Sequence, residues 1–142
     1  MCPTGESILY LANMADKILI YGSSHVKKLK SFVEFSRPNL NLDQNRYSLY
    51  WKGRSGGKAA VAWAKRYTEL WRFKGKKIVV LILGSNDLCD LRYSPFDVAS
   101  TIYSLAEFIT EQGVPYVIIG QIIRRQSMEL PQFKIHWPYH ID

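Results

Sequence analysis

Three short polar segments could carry chemistry in this chain, and each begins with a glycine at the end of a predicted strand. They are Gly22-Ser23-Ser24, Gly53-Arg54-Ser55-Gly56-Gly57 and Gly84-Ser85-Asn86-Asp87. In the first, Ser23 or Ser24 lies at or near the start of a predicted helix, where outward-pointing backbone N–H groups favour an anion or an oxyanion. One polar strand end would mean little, but three that meet at one edge of a sheet predict a site.

The elements that must position these segments alternate between strand and helix. Strands are predicted where short runs are apolar or alternate, and helices where apolar residues recur every three or four positions. The order β-α-β-α-β-α-β predicts an α/β fold of the flavodoxin-like, three-layer α/β/α type, with a parallel sheet of at least four strands. The predicted strands are Ile18–Tyr21, Tyr47–Trp51, Ile78–Leu83 and Val114–Ile119, and the predicted helices are Val26–Phe35, Lys58–Phe73 and a third between Ser94 and Gly113.

Two of these helices carry sharper expectations. The third is predicted to begin with a capping box, in which Ser94 is the N-cap, Pro95 the first helical residue and Asp97 the reciprocal partner. The second places five apolar or aromatic residues on one stripe, and we expect that stripe to be core rather than a cofactor site. The stripe consists of Ala60, Trp63, Ala64, Tyr67 and Trp71.

Length and composition are those of one globular domain. The chain has 142 residues, 47% hydrophobic and 22% charged, which is ordinary for a soluble protein. No apolar run approaches the roughly 20 residues that a membrane helix requires, and Glu6 and Asp16 flank the apolar stretch 8–14 where a signal peptide would carry basic residues. We therefore expect an intracellular, cytoplasmic protein with no membrane partner. Cys2 and Cys89 provide neither a disulfide framework nor metal-ligand spacing, and we expect no cofactor.

The formal net charge of +7 is unevenly distributed. Residues 1–77 hold 15 Lys/Arg and 5 Asp/Glu, whereas residues 78–142 hold 4 and 7. Such a bias attracts phosphate or another polyanion, although the simpler interpretation, two solvated helix ends with a basic composition, is preferred. No helix-turn-helix, zinc-finger or RNA-recognition motif is present, so nucleic acid stays an open class of partner.

Taken together, the three segments resemble the first three sequence blocks of the SGNH (GDSL-type) hydrolase superfamily. They come in the family's order, each after the expected strand, and the resemblance covers about residues 16–123. The family's first block is usually Gly-Asp-Ser, so Ser24 matches the nucleophile and Ser23 replaces the aspartate. The Gly-x-x-Gly of the second block matches an oxyanion glycine to Gly56, and the Gly-x-Asn-Asp of the third matches an oxyanion asparagine to Asn86.

The resemblance implies hydrolysis of a small-molecule ester through an acyl-enzyme on Ser24. The oxyanion would be bound by the backbone N–H groups of Ser24 and Gly56 and by the Asn86 amide. The family's last block is an Asp-x-x-His that supplies the general base, and this chain contains no such sequence. His136 and His140, in the C-terminal tail, are the candidate bases. Residues 1–142 would thus be a single SGNH hydrolase-like domain whose C-terminal block is missing.

Each segment also has a simpler interpretation. Ser24 could be a helix N-cap, and Asn86 with Asp87 could form an Asx-type turn. At the level of function, the alternative is a catalytically inactive binding module with a basic surface for polyanions. A fragment of a larger polyprotein, such as those of some retroelements, would fit as well. The oligomeric state is open, although an edge strand exposed by a missing neighbour would favour pairing.

Overall fold

A computed structural model of the chain describes residues 15–122. Four strands are present among them: β1 (Asp16–Ser23), β2 (Tyr47–Arg54), β3 (Ile78–Ile82) and β4 (Tyr116–Ile119). All pairings are parallel, and the strand order in the sheet is β2-β1-β3-β4. Helices cover both faces, which confirms the predicted three-layer α/β fold.

Five α-helices connect these strands: α1 (Ser24–Ser36), α2 (Ala59–Ala64), α3 (Leu70–Phe73), α4 (Ser85–Leu88) and α5 (Pro95–Glu111). A short 3-10 helix (Pro38–Asn41) follows α1. Helix α1 packs on one face of β1 and β2. None of the described helices has the length and apolar composition needed to cross a bilayer.

The main hydrophobic core lies on the opposite face of the sheet, under α2, α3 and α5. Alternate residues of the two central strands point into it, among them Leu19 and Leu81. Phe73 and Leu105 meet them from the helices and are fully buried. Burying one such side chain contributes about 1.5–3 kcal/mol, so this core anchors β1 and β3, whose ends carry two of the polar segments.

The predicted start of α5 is confirmed. The Ser94 hydroxyl accepts a hydrogen bond from the Asp97 N–H at 3.1 Å, and the Asp97 carboxylate accepts one from the Ser94 N–H at 3.0 Å. These reciprocal bonds satisfy backbone donors that a helix N-terminus otherwise leaves unpaired.

The prediction of one continuous helix over Lys58–Phe73 is wrong. The structure has two short helices, α2 and α3, with turns over residues 65–69 between them. Two side chains take up backbone carbonyls in the break: Arg66 donates to that of Trp63 and Thr68 to that of Lys65. The predicted stripe is therefore not core as a whole, since Tyr67 and Trp71 are exposed and the buried apolar residues are Ala59, Ala62 and Phe73.

Candidate functional site

The polar segments lie at the carboxyl ends of three adjacent strands. The connection after β1 runs to β2 on one side of the sheet, whereas the connection after β3 runs to β4 on the other, so the strand order reverses between β1 and β3. Ligands of open parallel sheets bind in the crevice at such a reversal. The parallel register sets Gly22 opposite both Gly53 on β2 and Ile82 on β3, so the three strand ends are level.

The two serines of the first segment have different environments. Ser23 ends β1, is buried, and caps α1 by accepting a hydrogen bond from the His25 N–H at 3.4 Å. Ser24 is the first residue of α1 and is half-buried. Its hydroxyl forms no hydrogen bond with any residue in 15–122. The capping role that could have explained Ser24 is therefore performed by Ser23.

The second segment lies directly against the first. A Cβ added to Gly57 would be 3.4 Å from the Ser23 Cα and 3.0 Å from the Arg54 carbonyl oxygen, so a larger residue would be crowded there. At the other end of the segment, the Lys27 Nζ donates to the Ser55 hydroxyl at 3.2 Å. The loop after β2 is thus held close to the start of α1.

The two glycines of this loop differ in how their N–H groups are used. Gly57 donates its N–H to the Arg54 carbonyl at 3.0 Å and closes the turn. Gly56 is exposed, has a φ of +66° in the region that favours glycine, and forms no backbone hydrogen bond through its N–H within residues 15–122. Within these residues the Gly56 N–H has no backbone acceptor, so it is available to donate to a ligand.

The third segment holds the second in place. The Asn86 side-chain amide donates to the Gly57 carbonyl at 2.9 Å. The buried Asp87 carboxylate accepts hydrogen bonds from the Ala59 and Ala60 N–H groups at 2.8 and 3.2 Å. These are N-terminal donors of α2 that lack helical partners, so Asp87 caps a helix that begins 28 residues earlier in the chain.

An ion pair also joins the chain just after the second segment to the chain just after the third. The Asp90 carboxylate pairs with the Lys58 ammonium at 2.8 Å and with the Arg92 guanidinium at 2.7 Å. Hydrogen bonds from Arg92 and then from Lys58 hold the pKa of Asp90 well below its usual range. Asp90 is consequently ionised at neutral pH, and its negative charge is balanced by two cations. No three His, Cys, Asp or Glu residues in the described part of the chain are grouped so that they could hold a metal ion.

The three segments that carry Ser24, Gly56 and Asn86 are thus in contact in the folded chain. His136 and His140, the candidate bases, lie outside the described residues. Sequence reasoning did not find the roles of Gly57 and Asp87, because both depend on contacts between segments. The only signal in the sequence was that Gly57 follows Gly56 and Asp87 follows Asn86, which were both predicted site residues.

Two solved structures share this fold at low sequence identity. One is LAE5, an α/β hydrolase enzyme from the metagenome of Lake Arreo, Spain, with 18% identity and a TM-score of 0.54 over 77% of this chain and 62% of that one. The other is a variant of Axe2, an acetyl xylan esterase from Geobacillus stearothermophilus, with 18% identity and a TM-score of 0.52 over 73% of this chain and 58% of that one. The fold is one that hydrolases use.

The chain spans about three fifths of the length of these two structures. No protein-family model matches it, and no curated protein sequence does. At 18% identity the likeness concerns the fold alone, and the chemistry must be argued from this chain's own residues.

Proposed function

We propose that this chain is an SGNH-type esterase or acyl hydrolase with Ser24 as its nucleophile. The observation that carries the proposal is the contact among three polar segments at the crevice where the strand order reverses. Ser24 stands at the start of a 13-residue helix, Gly56 belongs to the loop that lies against that helix start, and Asn86 is hydrogen-bonded into the same loop. The shared fold of an esterase and a hydrolase supports the same class of reaction.

In the proposed reaction, the Ser24 Oγ bonds to the ester carbonyl carbon while its proton passes to a histidine. The tetrahedral intermediate then expels the alcohol, which takes that proton from the histidine. Water hydrolyses the acyl-enzyme by the same two steps, which releases a carboxylic acid and restores the hydroxyl. His140 and His136 are the proposed proton acceptors in this chain.

The oxyanion would be stabilised by three donors. The Ser24 N–H is at the first position of α1, where no intrahelical acceptor exists and the helix dipole favours negative charge. The Gly56 N–H is the second donor, and the Asn86 amide, oriented by its bond to the Gly57 carbonyl, is the third. One such preorganised donor is typically worth about 3 kcal/mol in the transition state.

The first experiment is labelling with a fluorophosphonate, which forms a bond from the serine Oγ to phosphorus and releases fluoride. We expect the mass of the full chain to increase by one adduct, located at Ser24 by peptide mapping. Ser24→Ala should abolish labelling. Ser55→Ala is the matched control, because it removes an exposed hydroxyl of the same rim, and it should be labelled like the wild type.

Hydrolysis of p-nitrophenyl acetate separates the roles further. Ser24→Ala should lower kcat/KM by roughly 10³-fold or more, and Asn86→Ala by roughly 10²-fold to 10³-fold. His140→Gln and His136→Gln identify the base, since the variant that lacks it should lose activity and retain the fold. Absence of both labelling and hydrolysis in a well-folded wild-type chain would overturn the proposal.

A further inference from the structure

The β2 edge of the sheet carries cations and aromatic rings that the proposed hydrolysis does not use. In the parallel register, Tyr50, Lys52 and Arg54 lie opposite Leu19, Tyr21 and Ser23, so all three are on the face covered by α2 and α3. Lys76, in the turn after α3, lies over the Tyr50 ring, and Arg72 of α3 pairs with the same Glu69 carboxylate as Arg54. We call this surface the β2 track: Lys17, Tyr50, Lys52, Arg54, Trp71, Arg72 and Lys76.

Contacts link several residues of the β2 track. The Lys76 Nζ is 4.7 Å from the centre of the Tyr50 ring, and Lys52 lies on the same strand face between Tyr50 and Arg54. Arg54 and Arg72 both pair with the buried Glu69 carboxylate, which joins the carboxyl end of β2 to α3.

Among the described residues, the positive charge along the β2 track exceeds what ion pairs with the acidic residues of 15–77 neutralise. Residues 15–77 contain 15 Lys/Arg and four Asp/Glu. Asp16 pairs with Lys77 and Glu34 with Lys30 on α1, while Glu69 is shared by two arginines. Burial, and then the charge of Lys17, lower the pKa of the Lys76 ammonium. Lys76 and Lys17 therefore repel each other, and a polyanion bound along the β2 track would stabilise its excess positive charge.

The aromatic residues of the β2 track indicate which polyanion. Trp71 is 66% exposed and Tyr50 is 42% exposed, and the Arg72 guanidinium lies 4.1 Å from the centre of the Trp71 ring. Exposed rings among cations are the combination by which proteins bind single-stranded nucleic acid, since unpaired bases stack on the rings and cations contact the phosphates. A duplex keeps its base faces covered, and an acidic polysaccharide has none.

We propose that the β2 track binds single-stranded nucleic acid, with phosphates on Lys52 and Lys76 and bases on Trp71 and Tyr50. The β2 track ends at Arg54, the last residue of β2, next to the loop whose Gly57 lies close to Ser23. A bound strand would thus extend to the rim of the candidate active site. This inference does not depend on the proposed hydrolysis, because none of the track residues is assigned to that reaction.

Fluorescence anisotropy of the full chain with a labelled 15-nucleotide oligo(U) tests the proposal. We expect the double variant Lys52→Ala/Lys76→Ala to bind about tenfold more weakly or worse. The slope of log affinity against log salt should become shallower by roughly 1.4, or about 0.7 for each phosphate that the variant no longer neutralises. Trp71→Ala should weaken binding by about tenfold without changing that slope. Lys28→Ala/Lys30→Ala is the matched control, since it removes two charges from α1 on the opposite face.

Competition assays decide between partners. Unlabelled single strands should displace the probe at lower concentration than a duplex or heparin of equal charge, and Ser24→Ala should bind like the wild type. Three results would overturn the proposal: no binding at 50 mM salt, equal competition by heparin with no effect of Trp71→Ala, or equal losses in the track and α1 double variants. The second would show a general polyanion surface instead. Circular dichroism spectra confirm that each variant is folded.

Discussion

The two edge strands of the sheet present different chemistry to their surroundings. On β2, Lys52 and Arg54 lie on the same face of the strand, and cations on an edge oppose pairing with another strand. On β4, Tyr116 and Ile118 are 59% and 51% exposed, and no strand among residues 15–122 pairs with the outer side. A groove between β4 and α5 extends this surface and is lined by Tyr103, Ala106, Thr110, Tyr116 and Ile118 among others.

The two halves of the described domain therefore differ in charge and in exposed apolar surface. Among residues 15–122, the half around β2 carries the excess positive charge, whereas the half around β4 shares in the main core and has an apolar edge. The candidate site lies where the halves meet, with Ser24 from one and Asn86 from the other. Substitutions where the two halves meet should consequently lower the free energy of unfolding more than substitutions on either edge strand.

The largest effect is expected from Gly22→Ala. Gly22 on β1 lies so close to β3 that an added Cβ would overlap the Ile82 carbonyl carbon and oxygen, which are backbone atoms that cannot move aside. We expect the free energy of unfolding to fall by about 3 kcal/mol or more, as measured by urea denaturation. The control is Gly75→Ala, where φ is +77° but nothing lies within 4 Å, and where about 1–2 kcal/mol of backbone strain is expected. Equal losses would show that the two halves are not tightly joined at Gly22.

Asp87→Ala should produce the next largest effect, because it removes the acceptor that joins the loop after β3 to the start of α2. Two buried or half-buried N–H groups, those of Ala59 and Ala60, would lose their partner. We expect the free energy of unfolding to fall by about 2 kcal/mol and hydrogen exchange at these amides to become faster. Asp87→Asn keeps one acceptor oxygen and should lose less. Unchanged exchange at both amides in Asp87→Ala would contradict the assigned capping role.

The fold could be predicted because its signals are local and strong. The apolar run Ile78–Leu83 followed by glycine specifies a buried parallel strand, and the Ser94 capping box specifies where α5 begins. The break between α2 and α3 could not be predicted in the same way. No glycine or proline interrupts residues 58–73, and in the break the Thr68 hydroxyl donates to the Lys65 carbonyl, a local bond that competes with helix continuation.

The candidate site was predictable as a set of segments but not as a geometry. Glycine and polar residues after three of the strands predict a site at the carboxyl-end edge of the sheet, since the carboxyl ends of parallel strands share one edge. That Asp87 caps α2, or that Asn86 bonds to the Gly57 carbonyl, depends on contacts nearly thirty residues apart in the chain. The exposed Trp71 was likewise missed, because a periodic pattern assigns it to a helix face that the broken helix does not form.

Two reciprocal substitutions, one on each edge strand, test whether the charge of β2 and the apolar surface of β4 affect self-association. Ile118→Lys on β4 should reduce self-association measured by analytical ultracentrifugation, because it places a charge on an apolar edge. Lys52→Ile on β2 is the reciprocal change and should increase self-association. Since both sites are at least partly solvent-accessible, each free energy of unfolding should change by less than about 0.5 kcal/mol. If neither variant alters association, the contrast between the edges has no consequence for assembly.

The smallest effect is a pH dependence that arises between the halves, at Tyr21 of the central strand β1. Burial first, and the Glu69 carboxylate second, raise the pKa of the Tyr21 hydroxyl above its ordinary value of 10.0, against the opposing charges of Arg54 and Arg72. Above pH 10 the unfolded chain therefore releases a proton that the folded chain retains, so the free energy of unfolding falls as the pH rises through this window. Tyr21→Phe keeps the ring that packs against Phe73 and should remove this part of the decline, whereas Glu69→Gln should only reduce it. Urea denaturation from pH 8 to pH 11 measures the three curves, and parallel curves for wild type and Tyr21→Phe would show that the buried hydroxyl does not contribute.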